Sequence, residues 1–192
     1  MKSLAAFAML ATASCMTTSA PHRDFFANLS SLCGKAYEGR ITSPPAPADD
    51  SFAGKRLVMH VRECSADVIR VPFHVAEDHS RTWVITRTAT GLRLKHDHRH
   101  QDGSEDKVTQ YGGDSTTPPS AARQLFPVDQ FTKDLLIREG NTAGANNVWA
   151  VEVDPGRTFA YELRRPGRFF RVEFDLTKPF AAPPAPWGST GS

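Results

Sequence analysis

Residues 148–175 read VWAVEVDPGRTFAYELRRPGRFFRVEFD, and their alternation decides the fold. Apolar side chains recur at every second position on both sides of two glycine-containing turns, DPGRT and RRPG. A surface helix would space them three and four apart instead. Pairing Val153, Val151 and Trp149 with Phe159, Tyr161 and Leu163 keeps one face apolar. Pairing those in turn with Phe174, Val172 and Phe170 points the next apolar set the same way, and the register sets Glu162 opposite Arg171.

The same test extends toward the N-terminus. Leu57, Met59 and Val61 pair with Val75, Phe73 and Val71. Across the following turn the expected pairs are Val75 with Trp83, Phe73 with Ile85, and Glu77 with Arg81. The turn TATG then sets Ile85 opposite Leu94, Trp83 opposite His96 and Arg87 opposite Leu92. Two segments break the pattern. DFFANLSSLCG reads as a short helix or turn before the strand AYEGRI. PVDQFTKDLLIREGN carries Asp129 as an N-cap, Phe131 and Leu135 on one face, and Gly140 as a stop. About ten short strands joined by sequential hairpins predict an all-β, antiparallel up-and-down barrel, with one helix between the seventh and eighth strands.

The folded domain is expected over residues 24–178, with SPPAPADD at 43–50 as a proline-rich loop and 179–192 as a Pro-rich disordered tail. A length of 192 residues suits one domain. The 23 basic and 21 acidic residues are spread evenly, leaving a net charge of +2 and no basic block, which argues against a nucleic-acid partner. Lys2 followed by SLAAFAMLATAS has the form of a signal peptide over residues 1–14 and is too short for a membrane span. LATASC resembles the bacterial lipobox, although Thr12 stands where leucine is usual. That resemblance makes Cys15 a lipidation site at the head of a tether, residues 15–23, and attaches the protein to a membrane. Ordinary cleavage after Ala13 or Ala20 is the alternative. The protein is expected to be exported, to the periplasm or as an outer-membrane lipoprotein, and otherwise to be secreted. Cys33 and Cys64 then form an even pair in an oxidising compartment, where a disulfide is expected.

His96, His98 and His100 occupy every second position of LKHDHRHQDGSED. Continuity with Trp83 and Leu94 turns them inward and leaves Arg93, Lys95, Asp97 and Arg99 on the solvated face. Around the Asp102–Gly103 turn the expected partners are Glu105 for His100, Lys107 for His98, Thr109 for His96 and Tyr111 for Leu94, with an outer pair of Arg99 and Asp106. His60 and His74 fall on the solvated side of their hairpin.

The short helix, the string LSSLCGKAYEGRI and the strand meander resemble the lipocalin and related calycin-type barrels, which enclose a small hydrophobic ligand. Tyr37 stands where those proteins usually carry the tryptophan of their G-x-W motif, and the helix precedes three strands. KRLVMHVREC, SRTWVITRT, LKHDHRHQDGSED and TQYGGD also resemble a group of uncharacterised bacterial exported proteins, a likeness that implies no activity.

Three readings follow for the interior. Ligand recognition would use Trp83, Arg87, His96, His98, His100, Tyr111 and Tyr161, an apolar lining with a few polar groups, for a small apolar or amphipathic molecule. Acid–base or metal-assisted catalysis would use the histidine stripe, because imidazole titrates near neutrality. Adjacent stripe positions, about 7 Å apart, can share one Zn²⁺, whereas His96 and His100, about 13 Å apart, cannot, and no third ligand or other cofactor is evident. The third reading is a structural envelope lipoprotein with a packed interior and hydrated histidines. No phosphate loop, H-E-x-x-H or nucleophile motif is present.

Overall fold

The computed structural model describes residues 20–116 and 120–189. Cys15, the expected signal peptide and the start of the expected tether lie outside that description. The strands in chain order are β1 (Ala36–Ile41), β2 (Leu57–His60), β3 (Glu63–Cys64), β4 (Val68–Val75), β5 (Asp78–Arg87), β6 (Leu92–His98), β7 (Tyr111–Asp114), β8 (Arg123–Pro127), β9 (Val148–Asp154), β10 (Thr158–Arg165) and β11 (Arg168–Asp175). The helices are α1 (Ala20–Ser30) and α2 (Gln130–Arg138). Ten strands run in the order β7-β6-β5-β4-β2-β1-β11-β10-β9-β8, all antiparallel, and β3 pairs only with β4. Helix α2 therefore falls between the seventh and eighth barrel strands, as expected.

The end strands of that order curl round to meet. Thr116 N donates to Leu125 O and Asp129 N to Gly112 O, each at 3.0 Å, which nearly closes the barrel. Gly113 permits this approach, because a Cβ there would stand 1.8 Å from Pro127 O; on the other side of β7, a Cβ on Gly112 would stand 1.9 Å from Leu94 O of β6. Helix α1 plugs one end with Phe25, Phe26 and Leu29, all buried. Four residues expected in the tether belong to this helix, because His22 is buried and its Nε2 lies 3.2 Å from Ser115 Oγ. A Cys33–Cys64 disulfide, with Cα atoms 6.3 Å apart, fastens the segment after α1 to β3. The other end is the mouth, rimmed by segment 43–55, the turn at 76–77, loop 99–110 and helix α2.

Pairings across β9, β10 and β11 match the expected register, including Glu162 opposite Arg171. So do Leu57 with Val75, Met59 with Phe73 and Trp83 with His96. Two hairpins differ. Between β4 and β5 the turn is only Ala76–Glu77, so Trp83 pairs with Val71, Ile85 with Ile69 and Phe73 with Arg81. The expected Glu77–Arg81 pair is replaced by an Asp78–Arg81 ion pair. Between β6 and β7 the pairing slips by two, setting Tyr111 opposite His96 and Gly113 opposite Leu94. Past the end of β6 an isolated bridge sets Arg99 opposite Glu105, with an ion pair at 3.0 Å, instead of Asp106. Both slips are even, so each side chain keeps its face. In α2 the buried residues are Thr132, Leu135 and Leu136, while Phe131 lies outside under Lys95 Nζ. Thr132 takes the inner position because its Oγ1 accepts from Gly112 N at 2.8 Å.

The outer wall is covered differently on its two sides. Across β8–β11, Glu162 is buried and accepts from Arg123, Arg164 and Arg171. Burial opposes its ionisation, but these three guanidinium groups prevail and hold its carboxyl at about 2. Across β2, β4, β5 and β6 the covering is the C-terminal segment 179–189, expected as a disordered tail. Phe180 N donates to Ala36 O at one end, Trp187 N donates to His79 O at the other, and Arg56 stands over the Phe180 ring. This apolar strap accounts for the burial of Val58, His60, His74, Thr82 and Asp97, all on the outer face. His60 and His74 are thus removed from solvent, contrary to expectation. Asp97 points outward as expected but is enclosed, bound to Arg70 at 2.6 Å and Arg99 at 2.7 Å.

Two outcomes follow. Gly113→Ala should open the β7–β8 seam and cost about 3 kcal/mol in chemical denaturation, since its methyl group meets backbone and not a movable side chain. Burial, with His79, His60 and Arg62 adding repulsion and Asp78 opposing it, lowers the His74 imidazole to about 4. No residue of the strap carries charge. Because the closed state holds this imidazole neutral, strap closure is fully favoured above the ordinary imidazole value of about 6.5. It weakens as pH falls from there toward 4. Hydrogen-exchange protection of the Trp187 amide should decline over that interval, and His74→Leu should flatten the decline.

Candidate functional site

The barrel interior is largely filled by rings. Trp83 stacks on Phe73 at 4.8 Å and on Tyr161 at 4.4 Å between ring centroids, and Phe159 and Phe174 complete the packing below. Toward the mouth the filling stops. A cavity of about 120 Å³ remains, lined by Trp83, His96, His98, Tyr111, Trp149 and Tyr161 from the strands and by Arg81, Leu163, Arg168 and Phe52 nearer the rim. It adjoins an outer cleft of about 330 Å³ walled by Asp106, Val108, Leu136, Asn141, Asn147 and Arg165. His98, Tyr111, Leu163 and Arg168 border both spaces and form the neck between them. Larger hollows of about 590 and 780 Å³ are lined by residues within 39–57 and by Glu38, Arg56, Arg157, Glu173 and Phe180, and neither has a histidine or tyrosine in its walls.

Alternation along β6 turns His96 and His98 into this space. His96 is fully engaged. Its Nδ1 lies 3.0 Å from Tyr111 O, which can only accept, so Nδ1 carries the proton and Nε2 accepts from the Tyr161 hydroxyl at 2.7 Å. The Tyr111 ring stacks on the imidazole at 4.4 Å, and its hydroxyl lies 3.1 Å from His98 Nε2. Burial is the main reason both imidazoles stay neutral. It takes His96 to about 3, and with the repulsion of Arg81 it takes His98 to about 4. Burial also raises both tyrosine hydroxyls, which therefore remain protonated donors.

Segment 43–55 forms the rim over the cavity. Phe52 leans on Phe170 at 5.1 Å and on Phe73 at 6.2 Å, while Arg168 Nη1 donates to Ala48 O at 3.2 Å and Nη2 pairs with Asp49.

Of the residues expected to bind a ligand, the structure brings together Trp83, His96, His98, Tyr111 and Tyr161. Arg87 lies at the opposite end of the barrel with its guanidinium 4.3 Å over the ring of Phe26. His100 lies beyond the last residue of β6 and is half exposed, 3.8 Å from Asp106. Arg81, Trp149, Leu163, Arg165 and Arg168 were not expected at the site. Trp149, Leu163 and Arg81 lie on the inward parity of their strands, whereas no periodicity could have marked the Arg165–Arg168 turn. Among the described residues, no group of three or more His, Cys, Asp or Glu side chains is arranged to hold a metal ion.

No family model, curated protein or solved structure matches this chain. The His98 imidazole should show no titration between pH 5.5 and 8 in histidine-selective NMR, with a midpoint near 4. Tyr111→Phe should leave that midpoint below 5, because desolvation and not the hydroxyl sets it.

Proposed function

We propose that the protein binds a small molecule at the barrel mouth, with an apolar ring in the cavity and polar groups in the outer cleft. The observation that carries this reading is a cavity of about 120 Å³ left among aromatic walls that are otherwise closely packed. A void of about 150 Å³ lined by apolar side chains can accept benzene, so this one suits a single ring and little more. Unlike a ligand-engulfing barrel, the deep interior offers no further room. The hydroxyls and imidazoles of the neck supply the few directional contacts that orient a ligand in an apolar site. The disulfide accords with an oxidising compartment, which supports export as part of the proposal.

The catalytic reading has less support. A general base is most effective with a value near the working pH, whereas His96 is lowered to about 3 and His98 to about 4. His96 also has both ring nitrogens occupied.

Trp83 and Trp149 line the cavity and provide the measurement. Phenol should change their fluorescence saturably, and Leu163→Phe, which fills the neck, should abolish the change while leaving the far-ultraviolet circular dichroism intact. His98→Ala should weaken binding by about 1–3 kcal/mol through the lost polar contact. A response that rises linearly with phenol in both wild type and Leu163→Phe would reject the site.

A further inference from the structure

Three arginines converge on the mouth, and one of them has no counter-ion. Arg81 is paired with Asp78 and Arg168 with Asp49. Arg165 Nη1 donates only to the neutral Asn147 Oδ1, at 3.2 Å, and among the described residues no carboxylate stands within ion-pair distance of it. It shares the wall of the outer cleft with Arg168, across the two-residue turn Pro166–Gly167. The cleft's one carboxylate, Asp106, is turned to its own loop, accepting from Val108 N at 2.7 Å and lying 3.8 Å from His100. Burial and the neighbouring charge of Arg168 together lower the Arg165 value, as expected for a cation held near another cation.

Holding two guanidinium groups together in a half-buried cleft opposes folding. Arg165 makes no ion pair that would offset this, and its single neutral contact is a small return for a charged group. A bound anion would offset it, because guanidinium groups present paired donors that match a carboxylate or phosphate. The neck leads from this pair directly to the aromatic cavity. We infer that the ligand is a small anion in which a single ring is joined to a carboxylate, the ring in the cavity and the carboxylate between Arg165 and Arg168. This rests on the mouth being a small-molecule site, and it names the chemical class that site accepts.

Benzoate and its neutral isostere benzamide separate the two statements. Tryptophan fluorescence titrations at low ionic strength should show benzoate binding at least tenfold more tightly than benzamide, with the margin shrinking as salt is added. Arg165→Gln should reduce the ratio to threefold or less without lowering the melting temperature, since it removes a like-charge contact. Arg165→Lys, which keeps the charge, should retain most of the preference, and Arg157→Gln, at an exposed turn on the other end, should retain all of it. Equal binding of benzoate and benzamide, or an undiminished preference in Arg165→Gln, would overturn the anion assignment and leave the small-molecule site standing. If neither compound binds, the assignment and the site reading fall together.

Discussion

The seam between β7 and β8 is the constraint on which the rest depends. A curved antiparallel sheet of ten strands has two edges, and unpaired edges are costly inside a fold and hazardous outside it. Here the edges approach so closely that Gly113 has no room for a side chain beside Pro127. On its other side β7 pairs Tyr111 with His96 of β6, while the seam presents Gly112 N to Thr132 Oγ1. It also brings Asp129 to the start of α2, where its carboxylate accepts from Thr132 N and pairs with Lys95 at 2.6 Å. Seam, helix and cavity wall are one arrangement, so the geometry of the mouth cannot change without disturbing the closure.

Inside the barrel the balance lies between filling and polarity. The tryptophan, phenylalanine and tyrosine rings supply most of the apolar burial, and aromatic pairs in these stacked and edge-on arrangements add to it. The two imidazoles among them would be expensive if charged or unpartnered. They are neutral, and His96 has its tautomer fixed by a carbonyl on one side and a hydroxyl on the other. The outer wall meets the same problem in two ways. Arginines surround the buried carboxylate of Glu162 on one side, and on the other an uncharged strap excludes water from His60 and His74.

Much of this was legible in the residues because strand parity is robust. Val151, Tyr161 and Val172 face inward in the expected register, since DPGRT and RRPG leave little freedom in how their hairpins close. The β4–β5 hairpin slipped by four because Ala76, which has positive φ, makes the turn where a longer loop through Asp78 and His79 had been expected. The slip left Trp83 on the correct face yet moved Arg81 into the cavity wall. His96 and His98 were placed correctly by alternation, whereas His100 lies past the point where alternation applies. The strap was not legible, because PPAPW has no periodicity and its partners are a hundred residues away. Arg165 went unmarked for a related reason: its significance lies in what does not stand beside it, and composition cannot express that.

The placement of the chain ends bears on how this molecule reaches its native state. The first strand, β1, is flanked by β2 and by the last strand, β11, with Gly39 opposite Phe174, and residues 179–189 cross the outside of β2 and β4. Local hairpins such as β9–β10 and β10–β11 can form as soon as their residues are available. Neither the wall nor its covering can be completed until nearly the whole chain is present. Contacts so distant in sequence place the protein among slow-folding, high-contact-order topologies. Until the ends meet, β1 and β11 each expose an unpaired edge, and the imidazoles of the outer face remain in water. Residues 179–189 can therefore take their place only once β1 and β5, which hold Ala36 and His79, have come together in one wall.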